Sequence, residues 1–403
     1  MAGKRPSDLS GENLSFCSHP KQVQCRVDRC TSPAGHIHET FNSERAYVCL
    51  GGLTPLLDQK FKRTFMKINP VKVLNNNASD GASFSDAYCS VDFYPEAYPV
   101  ALIFQKGLQI LLDYFINNER PEDVVQAHSL EVLLHFLDSA YFTEEDSSME
   151  GMNEKSETDI TIFLANHFFG KLSLTSKYVI DGQSKGKRKG NACSCSQDGC
   201  KMTGVFGDTS IGNAEVWHGK VDVLLNHTDI ALKIASEEHA GDKRRTSSIR
   251  LKDEIFAETI VFSFLQKQFH PYRGHHLYPC IAVNNSDQVV YFYDSHQDVL
   301  LESSPVPLFD RETGKFQFAT IILAWLVVNH KCLCDGLPSD LACKKSGFFE
   351  CKKIDVFRED LHLGQVVFPA KSPSECNGVK QLCKEVDDLN KRRLRAMANK
   401  SFE

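Results

Sequence analysis

The sequence predicts an α+β protein in which a central mixed β-sheet is flanked by helices, and three observations support this fold class. The chain of 403 residues is 42% hydrophobic and 24% charged, which is ordinary for a globular protein. Apolar residues recur at helical spacing over residues 98–116 and again from Pro121 to residue 137. Between residues 214 and 294 the pattern changes to short apolar runs separated by turn residues, which is typical of strands.

The composition changes along the chain divide it into segments. At about 150 residues per domain, the length indicates two or three units, or one domain with large insertions. We predict a Cys/His-rich arm that could bind metal (1–45), a mainly helical region (46–180), an inserted loop rich in glycine, serine and charge (181–203), an α+β core (204–374) and a charged C-terminal helix (375–403). The core is thus preceded by a helical region.

Charge and hydropathy limit the partners and the location. The net charge of −6 provides no global basic field, so a nucleic-acid groove would have to be a local patch. The first residues are polar and lack the apolar segment of a signal peptide. The longest apolar run, 316–328, is shorter than the roughly 20 residues that a membrane-spanning helix needs. We therefore expect an intracellular protein, cytoplasmic or nuclear, with no membrane partner.

The predicted core contains two charged residues inside apolar strands. Residues 214–225 and 230–235 are predicted strands, followed by a helix over 253–268 and strands over 279–283 and 288–293. Asp222 lies within the first strand and Lys233 within the second. Because a buried charge costs several kcal/mol unless it is paired or bound to metal, the two side chains could neutralise each other. The simplest interpretation is a cross-strand ion pair with a structural role alone.

The stretch GKVDVLL, followed by a short strand with an internal lysine, resembles the PD-(D/E)XK nuclease family, particularly its RecB-like members. The resemblance implies a restriction-endonuclease-like core, with an aspartate on one strand and a (D/E)-x-K motif on the next. It implies that Asp222 binds Mg²⁺ and that Lys233 orients the attacking water. The following helix in such nucleases often carries a Glu or Gln that faces the site, and Glu254, Glu258 and Gln266 are the candidates here.

One position departs from the family pattern. Aligning Lys233 with the family lysine puts Ala231 where the second acid should be. Either Glu254 or Glu258 supplies that acid from the helix, with Glu258 joining Asp222 as a Mg²⁺ ligand, or the site has lost its metal. We therefore expect a metal-dependent nuclease (a Mg²⁺-dependent phosphodiesterase) or a nuclease-derived nucleic-acid-binding protein. The alternative is a non-enzymatic interaction protein with a degenerate nuclease fold and cysteine-rich, zinc-binding segments.

A second resemblance is weaker. The Ala-Leu-Lys run ending at Lys233, with Glu258 as a helical partner, is similar to the N-terminal lobe of a protein kinase. A kinase also needs an H-R-D-type catalytic loop and a D-F-G motif, and neither follows. The sequence therefore disfavours a kinase.

Cysteine and histidine cluster in three segments. The 15 cysteines are expected to be mostly free thiols in a reducing compartment, where such clusters become zinc candidates. In the N-terminal arm, Cys17, His19, Cys25 and Cys30 supply enough ligands for a zinc site. For this cluster and the next, uncoordinated thiols are the alternative. A second cluster, Cys193, Cys195 and Cys200, needs a fourth ligand from elsewhere. The third comprises Cys332, Cys334, Cys343 and Cys351, for which uncoordinated thiols are the favoured interpretation.

Three basic segments, 185–190, 243–245 and 391–395, are explained most simply as solvated surface. In a nuclease-like protein the first two could contact phosphates, which would make binding sensitive to salt. The third could act as a nuclear-import signal.

Overall fold

The structure, a computed structural model, describes residues 43–57, 66–142, 156–186, 192–195, 197, 199–226, 229–235, 244–284, 287–310 and 312–364. Nearly all of the predicted N-terminal arm, with its zinc ligands Cys17, His19, Cys25 and Cys30, lies outside these residues. The predicted C-terminal helix (375–403) also lies outside them. Those predictions remain predictions.

The α+β class with a large mixed sheet is confirmed. The strands are β1 (Lys67–Asn76), β2 (Cys89–Phe93), β3 (Tyr98–Pro99), β4 (Tyr178–Asp181), β5 (Val205–Gly207), β6 (Ser210–Gly212), β7 (His218–Lys220), β8 (Val223–Leu225), β9 (Ile230–Ala235), β10 (Leu277–Asn284), β11 (Asp287–Asp294), β12 (Val299–Ser303), β13 (Val306–Pro307) and β14 (His362–Leu363). The main sheet has the order β2-β1-β12-β11-β10-β9-β8-β4-β5, with β13 beside β11 and β3 beside β1. A smaller sheet has the order β14-β6-β7.

Helices flank the main sheet. They are α1 (Ser43–Leu57), α2 (Gln105–Asn117), α3 (Val124–Phe136), α4 (Glu157–Phe163), α5 (Gly170–Leu172), α6 (Arg244–Phe269), α7 (Phe318–Val328), α8 (His330–Leu333), α9 (Ser339–Ala342) and α10 (Ile354–Glu359). Asp123 and Ser156 cap the starts of α3 and α4 by accepting backbone N–H groups. Among these helices, none combines the length and the apolar character needed to cross a membrane.

Side chains alternate between two cores, one on each face of the main sheet. Leu225, Leu232 and their neighbours face the core that contains the buried helix α7. Leu224, Ala231 and Cys280 belong to the other core, which also contains the apolar residues of α6. Since successive strand residues point to opposite faces, Lys233 shares the α6 side with Ala231. This alternation brings Lys233 beneath α6.

One expectation about the strands needs correction. The predicted strand 214–225 is divided between β7 in the small sheet and β8 in the main sheet, and Asp222 lies at the break rather than within a strand. At this break the hydroxyl of Thr209 donates to the carbonyl of Val221, so the backbone leaves one sheet before joining the other. The region 46–180, expected to be mainly helical, also contributes β1 to β4 to the main sheet. Local apolar alternation continues across such breaks and therefore does not reveal them.

Candidate active site

Lys233 lies at the centre of a cluster of three carboxylates. Its Nζ is 2.7 Å from Oε1 of Glu254, 3.5 Å from Oε1 of Glu258 and 3.7 Å from Oδ1 of Asp222. The exposed fraction of the Lys233 side chain is only 14%. The ammonium group is thus shared by three acids in a largely buried place.

Helix α6 supplies two of the acids. Glu254 and Glu258 are four residues apart and therefore lie on the same side of the helix. Glu258 is completely buried, whereas the side chain of Glu254 is 20% exposed. Apart from the Lys233 ammonium at 3.5 Å from Oε1, neither oxygen of Glu258 has a hydrogen-bond partner among the described residues. A buried carboxylate with so few polar contacts is costly, and the charge of Lys233 offsets that of Glu258 when it is ionised.

The break between β7 and β8 positions the third acid. Oδ2 of Asp222 accepts a hydrogen bond of 2.7 Å from the backbone N–H of Ile234, the residue after Lys233. The carbonyl of Asp222 accepts from the backbone N–H of Asp181 at 3.0 Å, which joins the break to the end of β4. Asp222 is therefore held by backbone N–H groups of β9 on one side and of β4 on the other.

Burial changes the pKa values of two of the carboxylates, Glu258 and Asp222, and Lys233 opposes the change. Burial raises the pKa of Glu258 to about 8, although Lys233 lowers it. Burial likewise raises the pKa of Asp222 to about 6, against the opposing effects of Lys233 and the Ile234 N–H. Burial alone would lower the pKa of Lys233, but Glu258, Asp222 and Glu254 together raise it well above its ordinary value. Lys233 is therefore a permanent cation, while Glu258 is protonated over much of the neutral range.

All four residues predicted as catalytic, Asp222, Lys233, Glu254 and Glu258, meet in this cluster. Gln266 lies about two turns after Glu258 on α6, which at 1.5 Å per residue is about 12 Å further along the helix axis. Ala231 is buried and pairs with Leu224 and Cys280 on the neighbouring strands. The acids nearest to Lys233 therefore come from the helix and from the strand break.

The sequence analysis missed Glu157. It lies in the first turn of α4, and its negative charge contributes to the raised pKa of Asp222. The only local signal was the capping residue Ser156, which marks the helix start but not its position beside Asp222.

A second cluster could hold a metal ion. One ligand atom from each of His167, Cys193, Cys195 and Cys200 lies within 4.8 Å of the others. His167 is a candidate for the fourth ligand, which local sequence did not indicate because His167 lies on a helical segment 26 residues before Cys193. Over the part of the chain that the structure describes, no other group of three or more His, Cys, Asp or Glu side chains is this compact.

In neither the carboxylates around Lys233 nor the third cysteine cluster do the possible ligand atoms lie this close together. Within the described ranges, Cys332, Cys334, Cys343 and Cys351 form no such group and no disulfide. The carboxylates of Asp222, Glu254 and Glu258 surround the ammonium of Lys233 and are not all within 4.8 Å of one another.

Comparison with models of protein families, with characterised proteins and with solved structures finds no match for this chain. The geometry of the two clusters therefore carries the functional argument.

Proposed function

We propose that the chain is a metal-dependent phosphodiesterase that acts on nucleic acid, with its site at Asp222, Lys233, Glu254 and Glu258. The observation that carries this proposal is the environment of Glu258. Glu258 is fully buried, its nearest polar partner among the described residues is the ammonium of Lys233 at 3.5 Å, and it shares that lysine with two other acids.

The charge balance of the cluster favours a cation. Three ionised carboxylates and one ammonium leave two negative charges in a largely buried place, which is unfavourable. Either protons or a divalent cation can remove this excess. The raised pKa values of Glu258 and Asp222 correspond to neutralisation by protons. Binding of a divalent cation would neutralise the same charge in place of the protons.

The donor atoms suit a hard cation, since Mg²⁺ and Mn²⁺ prefer carboxylate oxygens. Asp222 and Glu258 would hold the ion, and Glu254 lies on the same side of the helix as Glu258. When bound, such an ion offsets negative charge on a phosphate group. Lys233 provides an ammonium whose protons can be donated to a water molecule or a phosphate oxygen. The Ile234 N–H keeps the Asp222 carboxylate oriented toward Lys233.

The resemblance to PD-(D/E)XK nucleases supports the same assignment. It implies an aspartate on the strand next to the lysine-bearing strand, and a Glu or Gln from the following helix that faces the site. Lys233 and the two glutamates of α6 have this arrangement, whereas Asp222 reaches Lys233 from the break before β8 and not from within a strand. The helical acids take the place of the acid that is missing at Ala231.

The experiment uses the full chain with single- and double-stranded DNA and RNA, in Mg²⁺, in Mn²⁺ and in a chelator. We expect cleavage only with metal, and we expect Asp222→Asn to abolish it because the substitution removes the charge and preserves the shape. Glu302→Gln is the matched control. Glu302 also forms an ion pair with a lysine: its carboxylate is 2.9 Å from Nζ of Lys252, a residue of α6. It lies on β12, however, three strands away from Lys233 on β9.

Two results would contradict the proposal. One is cleavage that persists undiminished in Asp222→Asn. The other is a lack of cleavage of every substrate by the unmutated protein in either metal.

The second candidate is a non-enzymatic interaction protein that uses zinc-binding segments. The specific observation that favours it is the cluster of His167 with three cysteines, since sulfur and imidazole ligands are typical of structural zinc sites. Nucleic-acid binding without cleavage, unaffected by Asp222→Asn, would support this candidate.

A further inference from the structure

We propose that His167, Cys193, Cys195 and Cys200 bind one zinc ion, and that this ion fastens the loop after β4 to the helical segment that follows α4. The inference goes beyond the proposed function, because the zinc site does not depend on whether the Lys233 cluster cleaves a substrate.

The ligand geometry suits zinc. Nε2 of His167 is 3.2 Å from Sγ of Cys193 and 3.6 Å from Sγ of Cys200, and all four ligand atoms lie within 4.8 Å of one another. Tetrahedral zinc with bonds of about 2.3 Å to sulfur and 2.0 Å to nitrogen requires ligand atoms roughly 3.5–4 Å apart. Three thiolates and one imidazole are a usual structural zinc set. The four side chains thus need only small movements to enclose the ion.

The loop brings its own cysteines together. The backbone N–H of Cys193 donates to the carbonyl of Cys200 at 3.1 Å, and Ala192 forms a bridge with Lys201. The N–H of Cys200 donates to the carbonyl of Gln197 at 3.3 Å, which tightens the turn. This antiparallel closure presents the three sulfurs to one place without the help of a disulfide.

Contacts within the helical segment hold His167 and its neighbour Asn166 in place. His167 lies in the π-helical segment Leu164–Phe169 between α4 and α5, and its ring stacks on Phe163 with centroids 5.1 Å apart. Its neighbour Asn166 is buried and directs its amide nitrogen at Sγ of Cys193 (3.5 Å) and of Cys200 (3.8 Å). The amide oxygen accepts from the Tyr178 hydroxyl at 2.8 Å, which fixes the amide orientation.

Asn166 is the second observation that points to a metal. An amide N–H donor aimed at two sulfurs stabilises thiolates, which are the form that binds zinc. A donor of this kind beside metal-bound sulfur acts like the outer partners that orient ligands in known metal sites. An uncoordinated set of thiols gains much less from such a donor.

Zinc at this place would fix a connection near the acidic cluster. The loop leaves β4 at Asp181, whose N–H is bonded to the carbonyl of Asp222. Further along the loop, the hydroxyl of Ser194 donates to the carbonyl of Asp159 in the first turn of α4 at 2.8 Å. The ion would therefore tie the β4–β5 edge of the sheet to the helix that starts beside Asp222.

The test measures zinc in the full chain purified without a chelator. We expect Cys193→Ser/Cys200→Ser to lose one zinc equivalent per chain relative to the unmutated protein. The comparison is a difference because the segment 1–45 contains its own cysteines and histidines. Cys343→Ser is the matched control, since Cys343 is an exposed free thiol outside the cluster. His167→Ala should lose the same equivalent, whereas His167→Cys should retain it.

A second measurement uses the unmutated protein, so it does not depend on the folding of any variant. Titration of its thiols with a mercurial reagent should release this zinc, and hydrogen exchange should then accelerate in β4 and β5 but not in β12, which contains no cysteine. Equal zinc in the double variant and the unmutated protein would overturn the proposal, as would iron in place of zinc or a disulfide among these cysteines. None of these readouts requires cleavage, so a failed zinc site and a failed nuclease site are distinguishable.

Discussion

Substituting Glu258 by glutamine should remove a specific dependence of stability on pH. Glutamine has nearly the same shape as glutamate but cannot ionise. In the folded protein the pKa of Glu258 is raised to about 8 from an ordinary value of 4.5, because the group is completely buried. Below pH 4.5 both the folded and the unfolded states hold the proton. Between 4.5 and about 8 only the folded state holds it, so the stability from this group falls as the pH rises.

The magnitude follows from proton linkage. Each pH unit in which only the folded state is protonated changes the free energy of unfolding by about 1.4 kcal/mol. Asp222, with a pKa raised to about 6, has its main effect at lower pH. Between pH 6 and 8 the Glu258 contribution therefore dominates within the cluster. We expect the free energy of unfolding of Glu258→Gln, relative to the unmutated protein, to increase by about 2 kcal/mol over this interval.

The assay is urea denaturation of both proteins at several pH values, with and without Mn²⁺. If Mn²⁺ binds at Glu258 it must displace the proton, so its stabilising effect should be larger at pH 8 than at pH 6. At a concentration of 100 times Kd the stabilisation would be about 2.7 kcal/mol. Glu302→Gln should retain this effect and Glu258→Gln should lose it. A difference between the two proteins that does not change with pH, or equal Mn²⁺ stabilisation in Glu258→Gln, would refute the reasoning.

Two further substitutions test the structure around the site. Lys233→Met removes the cation that, within the described residues, Asp222, Glu254 and Glu258 share. It should lower the free energy of unfolding by about 3–5 kcal/mol at pH 8, and by less at pH 5, where Glu258 and Asp222 bind protons. Denaturation curves at the two pH values check this, and an equal loss at both would contradict it. Gly212→Ala should destabilise by about 1–3 kcal/mol, because Gly212 has φ +110 and an added Cβ would lie 2.5 Å from the carbonyl oxygen of Trp217. Gly274→Ala, where the Cβ would meet open space, is its control in the same measurement, and similar stabilities of the two variants would contradict the argument.

The acidic cluster shows how far local sequence can lead. Asp222 and Lys233 were recognisable because charges are costly within apolar runs, and such a cost demands a partner. The helical glutamates could be proposed as substitutes because they are four residues apart and share one side of α6. The sequence could not place Asp222 at a break between two sheets, since the alternation of apolar residues continues across it. Local sequence also does not indicate Glu157, because its proximity to Asp222 arises from packing between α4 and the sheet.

The sequence by itself determined the α+β class, the charged residues of the core and three of the four candidate ligands in the second cluster. These features depend on periodicity, on the cost of burying charge and on close spacing of cysteines, which are all local. Only the tertiary structure decided that β1 extends the main sheet, that Lys233 is shared by three acids and that His167 meets the cysteines. Each of these depends on which elements pack together over long separations. Pairing of this kind results from filling the two cores on either side of the sheet, and a single sequence does not encode it in any local pattern.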